Sequence, residues 1–332
     1  MVPRPVEECA AKGAGLSVGP SRRFLIVRLS ALGDTVCTLP AAGALKDAFP
    51  RCHITWAVDP RFQDIPKRCI YVDEVVTLKP SFRWNSWKFE NEGYDVVFDL
   101  QGLLKSGLVA SGVKAQRKFG YAWQREGAWL FTQAVSPDPT SRHVTDQYVD
   151  VARAAGGVAG EAKFGLQPHE ADLVKVEALL DGAGIQPGFI VFNPGSARPE
   201  KRYPIELAAK LCDKLWSVGF QVVVIGSPAQ EELDMIEDLR SRSLFPPVSL
   251  AGKTSIGELV GLISLAKAHV GGDTGSTHIA AAMRIPCVGL YATTNPDRTG
   301  PYGQRHHCFY NQNGLDQISP DAVVEKLQEI LE

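Results

Sequence analysis

The run Gly271-Gly-Asp-Thr-Gly-Ser-Thr-His-Ile-Ala-Ala-Ala282 brings a carboxylate, hydroxyls, an imidazole and glycines together. It follows a short apolar segment and leads into helical spacing, so it reads as the turn between a strand and a helix. Unpaired backbone N–H groups at a helix start, together with the helix dipole, favour a phosphate. Gly275 gives a ligand room to approach the backbone. Asp273 and Thr274 stand at the entrance, where they can bond ligand hydroxyls or phosphate oxygens. His278 lies about one turn further on and adds a donor. The structural alternative is an Asp273 that caps the helix and a His278 that is buried and satisfied. The surrounding glycines favour the functional reading.

Three further segments carry chemistry. Ser30-Ala-Leu-Gly-Asp34 follows an apolar strand, and a carboxylate at that turn can take a proton from an attacking hydroxyl as general base. Its alternative, again, is an N-cap. In Asn193-Pro-Gly-Ser-Ala-Arg-Pro-Glu-Lys-Arg-Tyr-Pro204, a Gly/Ser loop precedes Arg198 and Lys201. Fixed cations there can neutralise a departing diphosphate without a metal. The alternative is a solvated loop. Basic residues also interleave with aromatics in the first half: Arg83-Trp84-Asn-Ser-Trp87-Lys88, then Lys105, then Lys114, Arg117, Lys118 and Arg125 beside Tyr121, Trp123 and Trp129. Together they suit an anionic sugar or a lipid head group; singly, each reads as a solvated face.

These residues need strand ends and helix starts to position them. Phe24–Val27, His53–Val58, Val72–Leu78 and Tyr94–Leu100 read as strands, and Thr35–Phe49 as a helix stopped by Pro50. A second series opens at Gly188–Ser196. It continues through a helix at Ile205–Val218, a strand at Phe220–Ile225 and a helix at Ile256–Ala266. Strands at Ala268–Gly271 and Ile285–Leu290 and a terminal helix at Ile318–Leu331 complete it. Strands alternating with helices predict parallel βαβ units. The fold class is α/β, with two doubly wound, Rossmann-like domains facing a cleft and ligands at the carboxyl ends of the strands. A Gly- and Ala-rich stretch at 156–165, followed by a helix over Ala171–Leu180, places the domain boundary near residue 175. Residues 22–175 form one domain and 176–332 the other. Residues 1–21 read as a loose extension, lacking the apolar stretch of a signal peptide.

Bulk properties narrow the function classes. A chain of 332 residues exceeds the size of one growing core. Its 35 basic and 37 acidic residues give a net charge of -2, so no global field draws nucleic acid. The seven scattered cysteines show no zinc spacing and fit reduced thiols in a cytosolic protein. No apolar run is long enough to span a membrane.

Taken together, the segments resemble glycosyltransferase family 9, which contains the ADP-heptose–lipopolysaccharide heptosyltransferases, and within it most closely the heptosyltransferase I branch. The matching pieces are Phe24–Asp34 with Leu39-Pro40, Tyr94–Ser106, Lys201–Pro204 and Gly272–His278, in the family's order along nearly the whole chain beyond residue 22. The resemblance implies a GT-B fold. It also implies inverting, metal-independent transfer of heptose from ADP-heptose, with no cofactor beyond that donor, to a Kdo-containing lipid A core. By the same resemblance Asp34 is the general base and Lys201 the cation over the donor phosphates. Ser196, Arg198, Glu231, Asp273, Thr274, Gly275 and His278 bind the donor. Lys105 and Arg125 match acceptor positions, and the basic–aromatic stretch adds Arg83 and Lys88 as further acceptor contacts. A cytoplasmic monomer associated peripherally with the inner membrane is expected. Three positions depart from the family pattern. Ala31 replaces a serine, Asn193-Pro-Gly-Ser is a variant donor loop, and Gln230 stands at an acidic position that Glu231 takes over. An NAD oxidoreductase is disfavoured because Ser30–Asp34 has only Gly33 where a G-x-G-x-x-G is needed. A non-catalytic sugar-nucleotide-binding protein and a sister glycosyltransferase with another donor sugar stay open.

Overall fold

The computed structural model describes residues 22–78, 93–158 and 160–332. The extension at 1–21, and Arg83 and Lys88, lie outside them.

The first apolar runs form strands because their residues can be buried on both faces, which a parallel sheet with helices on both sides requires. Strand β1 (Arg23–Val27) leads into α1 (Leu32–Ala48), β2 (His53–Val58), α2 (Asp64–Lys67) and β3 (Glu74–Thr77). Strand β4 (Tyr94–Asp99), α3 (Leu104–Gly112), β5 (Ala115–Tyr121), β6 (Gln133–Val135) and α4 (Val144–Arg153) follow. All pairings are parallel, in the order β3-β2-β1-β4-β5-β6. Helix α5 (Glu170–Gly182) then leads to β7 (Ile190–Asn193), α6 (Ile205–Ser217), β8 (Val222–Val224), α7 (Gln230–Arg242) and β9 (Val248–Ser249). Helix α8 (Ile256–Leu265), β10 (Ala268–Gly271), α9 (Gly275–Ala282) and β11 (Cys287–Tyr291) come next. Helix α10 (Pro296–Thr299), β12 (Cys308–Tyr310) and α11 (Pro320–Leu331) complete the chain. The second sheet is ordered β12-β11-β10-β7-β8-β9 and is also parallel. Both sheets reverse direction beside their first strand, between β1 and β4 and between β7 and β10, which is where a doubly wound sheet opens its ligand crevice.

Side chains alternate along the strands with period two. Phe24 and Ile26 of β1 join the apolar cluster that runs across the seam between the sheets, while Leu25 and Val27 join the outer one. Val191 of β7 lies in the same seam cluster, and Ile190 and Phe192 lie in the far one. The seam is therefore a packed core, with α1 against α9 at its centre. Residues Thr35 to Leu45 of α1 are all buried, so this helix is covered on every side and shows no polar stripe.

Several elements differ from the sequence reading. Helix α1 begins earlier than expected, at Leu32, which brings Gly33 and Asp34 inside its first turn. Strands β5 and β6 and helices α3, α4 and α7 were not anticipated: β5 and α7 are rich in charge, and none of the five carries a long continuous apolar run. The stretch expected to act as one basic–aromatic patch is divided: Arg117 and Lys118 lie on β5, and Lys118 donates to the Ser111 carbonyl at 3.0 Å. Residue 175 falls within α5, which packs on α8 and is tied back to the first half by a bidentate pair, Arg68 to Asp172, at 2.8 Å for each bond.

Candidate active site

On the side of the first sheet, the chain leaves β1 through Arg28 and turns into α1. Arg28 Nη2 binds Asp34 Oδ2 at 2.7 Å; the Arg28 side chain is 5% exposed and the Asp34 side chain 49%. The N-cap of α1 is Ala31, whose N–H reaches Asp34 Oδ2 at 3.4 Å, so Asp34 is not the cap. The same turn holds Ser30. Its Oγ accepts from Lys105 Nζ at 3.2 Å and from Gln101 Nε2 at 3.3 Å, while Gln101 Oε1 accepts from the Leu29 N–H at 2.9 Å. Lys105 is thus brought to the loop that carries Asp34. Below it, Asp99 ends β4 and accepts from the N–H groups of Gln101 and Gly102 at 3.1 and 3.0 Å. Burial nevertheless pushes its carboxyl above the usual range.

On the opposite side, the three-residue turn Pro199–Lys201 points Lys201 Nζ at Asp273 Oδ2, 2.7 Å away. Asp273 Oδ1 lies 3.5 Å from His278 Nε2, and His278 Nδ1 lies 3.4 Å from Cys37 Sγ of α1. Burial works against the charged form of Asp273, but His278 and Lys201 hold its carboxyl well below the ordinary range. Burial likewise opposes the His278 cation, but Cys37 and Asp273 raise the imidazole well above its usual value. Lys201 and the raised His278 imidazole thus flank one carboxylate at the start of α9. Both ring nitrogens of His278 are engaged, so it contributes charge where the sequence suggested a spare donor.

The N-cap of α9 is Thr274, and its side chain makes no capping bond; Asp273 precedes it and faces the cations. The first-turn N–H groups therefore keep their dipole for an anion. Asn193, at the end of β7, positions the turn: its Nδ2 donates to Thr274 Oγ1 at 3.3 Å and to Ser276 Oγ at 3.0 Å. Ser276 in turn meets His269 Nε2 at 3.0 Å, and burial lowers that imidazole to about 3. A Cβ on Gly275 would stand 2.5 Å from Leu32 Cδ2, so the space expected for a ligand is filled by α1. Equally, a Cβ on Gly33 would stand 2.6 Å from His278 Cδ2. The two helix starts touch through glycines, which sets the Asp34 turn against the Asp273 cluster.

The remaining candidates lie further out. Ser196 Oγ accepts from the Arg198 N–H at 3.3 Å, and its carbonyl accepts from Arg202 Nε at 2.9 Å. Arg202 also grips Glu231 at 2.6 Å, and that hydrogen bond holds the exposed Glu231 carboxylate below its usual range. Arg198 and Arg125 are exposed. Arg125 sits on the loop after β5, between the exposed Trp123 and Trp129. Arg28, Cys37, Asn193 and His269 were missed by sequence reasoning. The available signal for three of them was a polar residue in or just after an apolar strand. None marked Cys37, which meets His278 from 241 positions away.

Residues 86–326 match the sequence model of glycosyltransferase family 9 (heptosyltransferase). The lipopolysaccharide core heptosyltransferase OpsX of Haemophilus influenzae is 30% identical over 313 residues, 90% of this chain and 87% of that protein. Lipopolysaccharide heptosyltransferase 1 of Escherichia coli is 27% identical over 329 residues, 93% of this chain and 100% of that protein. Among solved structures, the family 9 glycosyl transferase from Veillonella parvula superposes with a TM-score of 0.82 at 24% identity, over 93% of this chain and 97% of that one, and shares the fold. The Escherichia coli heptosyltransferase WaaC with ADP superposes with a TM-score of 0.74 at 25% identity, over 92% of this chain and 99% of that one.

Proposed function

The chain belongs to glycosyltransferase family 9, and on that premise we propose that it moves heptose from ADP-heptose to a Kdo–lipid A inner core, inverting the anomeric centre without a metal. The fold is GT-B, two doubly wound domains across a cleft. The observation that carries the proposal is the half-exposed carboxylate of Asp34 held across the seam from the Lys201–Asp273–His278 cluster.

In this reading the second sheet binds the donor. The start of α9 and Lys201 receive the diphosphate, Asp273 and Thr274 meet the sugar, and Ser196, Arg198 and Glu231 line the nucleotide side. The first sheet binds the acceptor through Lys105 and Arg125. Closure excludes water and aligns the acceptor hydroxyl with the anomeric carbon. The hydroxyl oxygen forms the new C–O bond as Asp34 takes its proton. The bond from the anomeric carbon to the phosphate oxygen breaks, and ADP leaves with the electron pair. One displacement from the face opposite the leaving group inverts the centre. The Lys201 cation and the α9 dipole stabilise the departing charge, the task a metal performs elsewhere.

The similarity to lipopolysaccharide heptosyltransferases supports heptose as the transferred sugar. No helix among the described residues is long and apolar enough to cross a membrane. Arg125 with the exposed Trp123 and Trp129 supports peripheral contact with a membrane surface, and a cytoplasmic monomer at the inner membrane is the state this reading assigns. Replacing Asp34 with Ala tests the assignment. Turnover should fall about a thousandfold, with ADP affinity unchanged. A parallel loss of ADP binding would remove Asp34 from the role of base.

A further inference from the structure

Resting on the reading of Asp34 as the base, we propose that Arg28 is a positioning residue: its buried guanidinium fixes the Asp34 carboxylate in the orientation that meets the acceptor hydroxyl.

Two contacts anchor the guanidinium, and a third holds the backbone that carries it. Its Nη1 donates to the Leu100 carbonyl just past β4. Its Cζ lies over the Tyr148 ring of α4, 5.2 Å from the centroid. The Arg28 carbonyl accepts from Trp56 Nε1 of β2 at 3.3 Å. Nη2 then reaches Asp34 Oδ2 at 2.7 Å. Asp34, by contrast, is half in solvent at the first turn of a helix, where an unpaired aspartate samples several rotamers. Among the described residues, both contacts to its carboxylate, from Arg28 and from the Ala31 N–H, fall on Oδ2. Oδ1 is left to receive a proton.

The arrangement is a poor device for stability. Taking a guanidinium out of water is costly unless every donor is paired, and Arg28 Nε has no protein acceptor among the described residues. Asp34 does not need the pair in order to be solvated. Burial opposes the Arg28 charge, while Tyr148 and Asp34 sustain it. The pair orders a carboxylate that water alone would leave free.

The test is a double-mutant cycle on the full chain, using Arg28→Met, Arg28→Lys and Asp34→Asn with ADP-heptose and a Kdo–lipid A acceptor. Arg28→Met should lower kcat about 10- to 100-fold, with both KM values and the ADP Kd within about twofold. Arg28→Lys, which keeps the charge and loses the fork, should recover part of that loss. Added to Asp34→Asn, either change should cost nothing further, because it acts through a group already disabled. Wild-type kcat in Arg28→Met, or losses that add fully to those of Asp34→Asn, would overturn the proposal. If Arg28→Met does not fold, the Arg28→Lys arm of the cycle decides by the same criterion. A fully active Asp34→Asn is a separate result: it removes the base, and Arg28 loses its role with it.

Discussion

Asp273 stays ionised in a mostly buried place because two cations reach it, and this single pattern organises the start of α9. His278 is the titratable member. Its imidazole is raised well above 6.5 in the fold, so the folded state binds the proton more tightly than the unfolded one. By linkage the stabilisation is complete below about pH 6.5 and is lost as pH climbs through the raised value. The groups facing it are Asp273 and Cys37, with the neutral His143 and His269 nearby. Thermal stability and ADP affinity should therefore decline from about pH 7 into the alkaline range, and His278→Gln should flatten both curves. Parallel curves for the two proteins would deny His278 its charge. The sequence singled out Asp34, Lys201, Asp273 and His278, and the structure gathers the last three into one cluster across the seam from Asp34. The sequence could not show that His278 spends both ring nitrogens on Asp273 and Cys37, because those contacts exist only once α1 and α9 have met.

At the scale of elements, the strands were readable wherever burial on both faces makes a continuous apolar run. Ala268–Gly271 and His53–Val58 are such cases, with observed ends at the expected residues. Strand β5, Ala-Gln-Arg-Lys-Phe-Gly-Tyr, was hidden by its charges, because its first half stays partly exposed. Helix α7, Gln230–Arg242, was hidden because few of its residues are buried. The contact between helix starts was also illegible, although its glycines were in view. Gly275 seemed to make room for a ligand, and it makes room for Leu32. The seam predicts the effect of Gly33→Ala. In a helix, Ala in place of Gly ordinarily adds about 1 kcal/mol of stability. Here the methyl group strikes the His278 ring and forces the Asp273 cluster away from the Asp34 turn. Calorimetry should show ADP binding weakened about tenfold, or about 1.4 kcal/mol. Unchanged affinity would mean that the contact is incidental.

At the scale of the molecule, the two sheets repeat one topology, and the seam cluster joins them through α1 and α9. The Arg68–Asp172 pair ties helix α5, between the sheets, back to the first half. One half offers a carboxylate and the other a cationic helix start, so transfer between two substrates follows from how the halves meet. The most direct measurement is calorimetric titration of the full chain with ADP-heptose, ADP, UDP and NAD, with a metal chelator present throughout. The account predicts binding of ADP-heptose and ADP and weak or no binding of UDP and NAD. Selective UDP binding would contradict heptose as the transferred sugar, and binding of NAD alone would contradict the transferase reading itself.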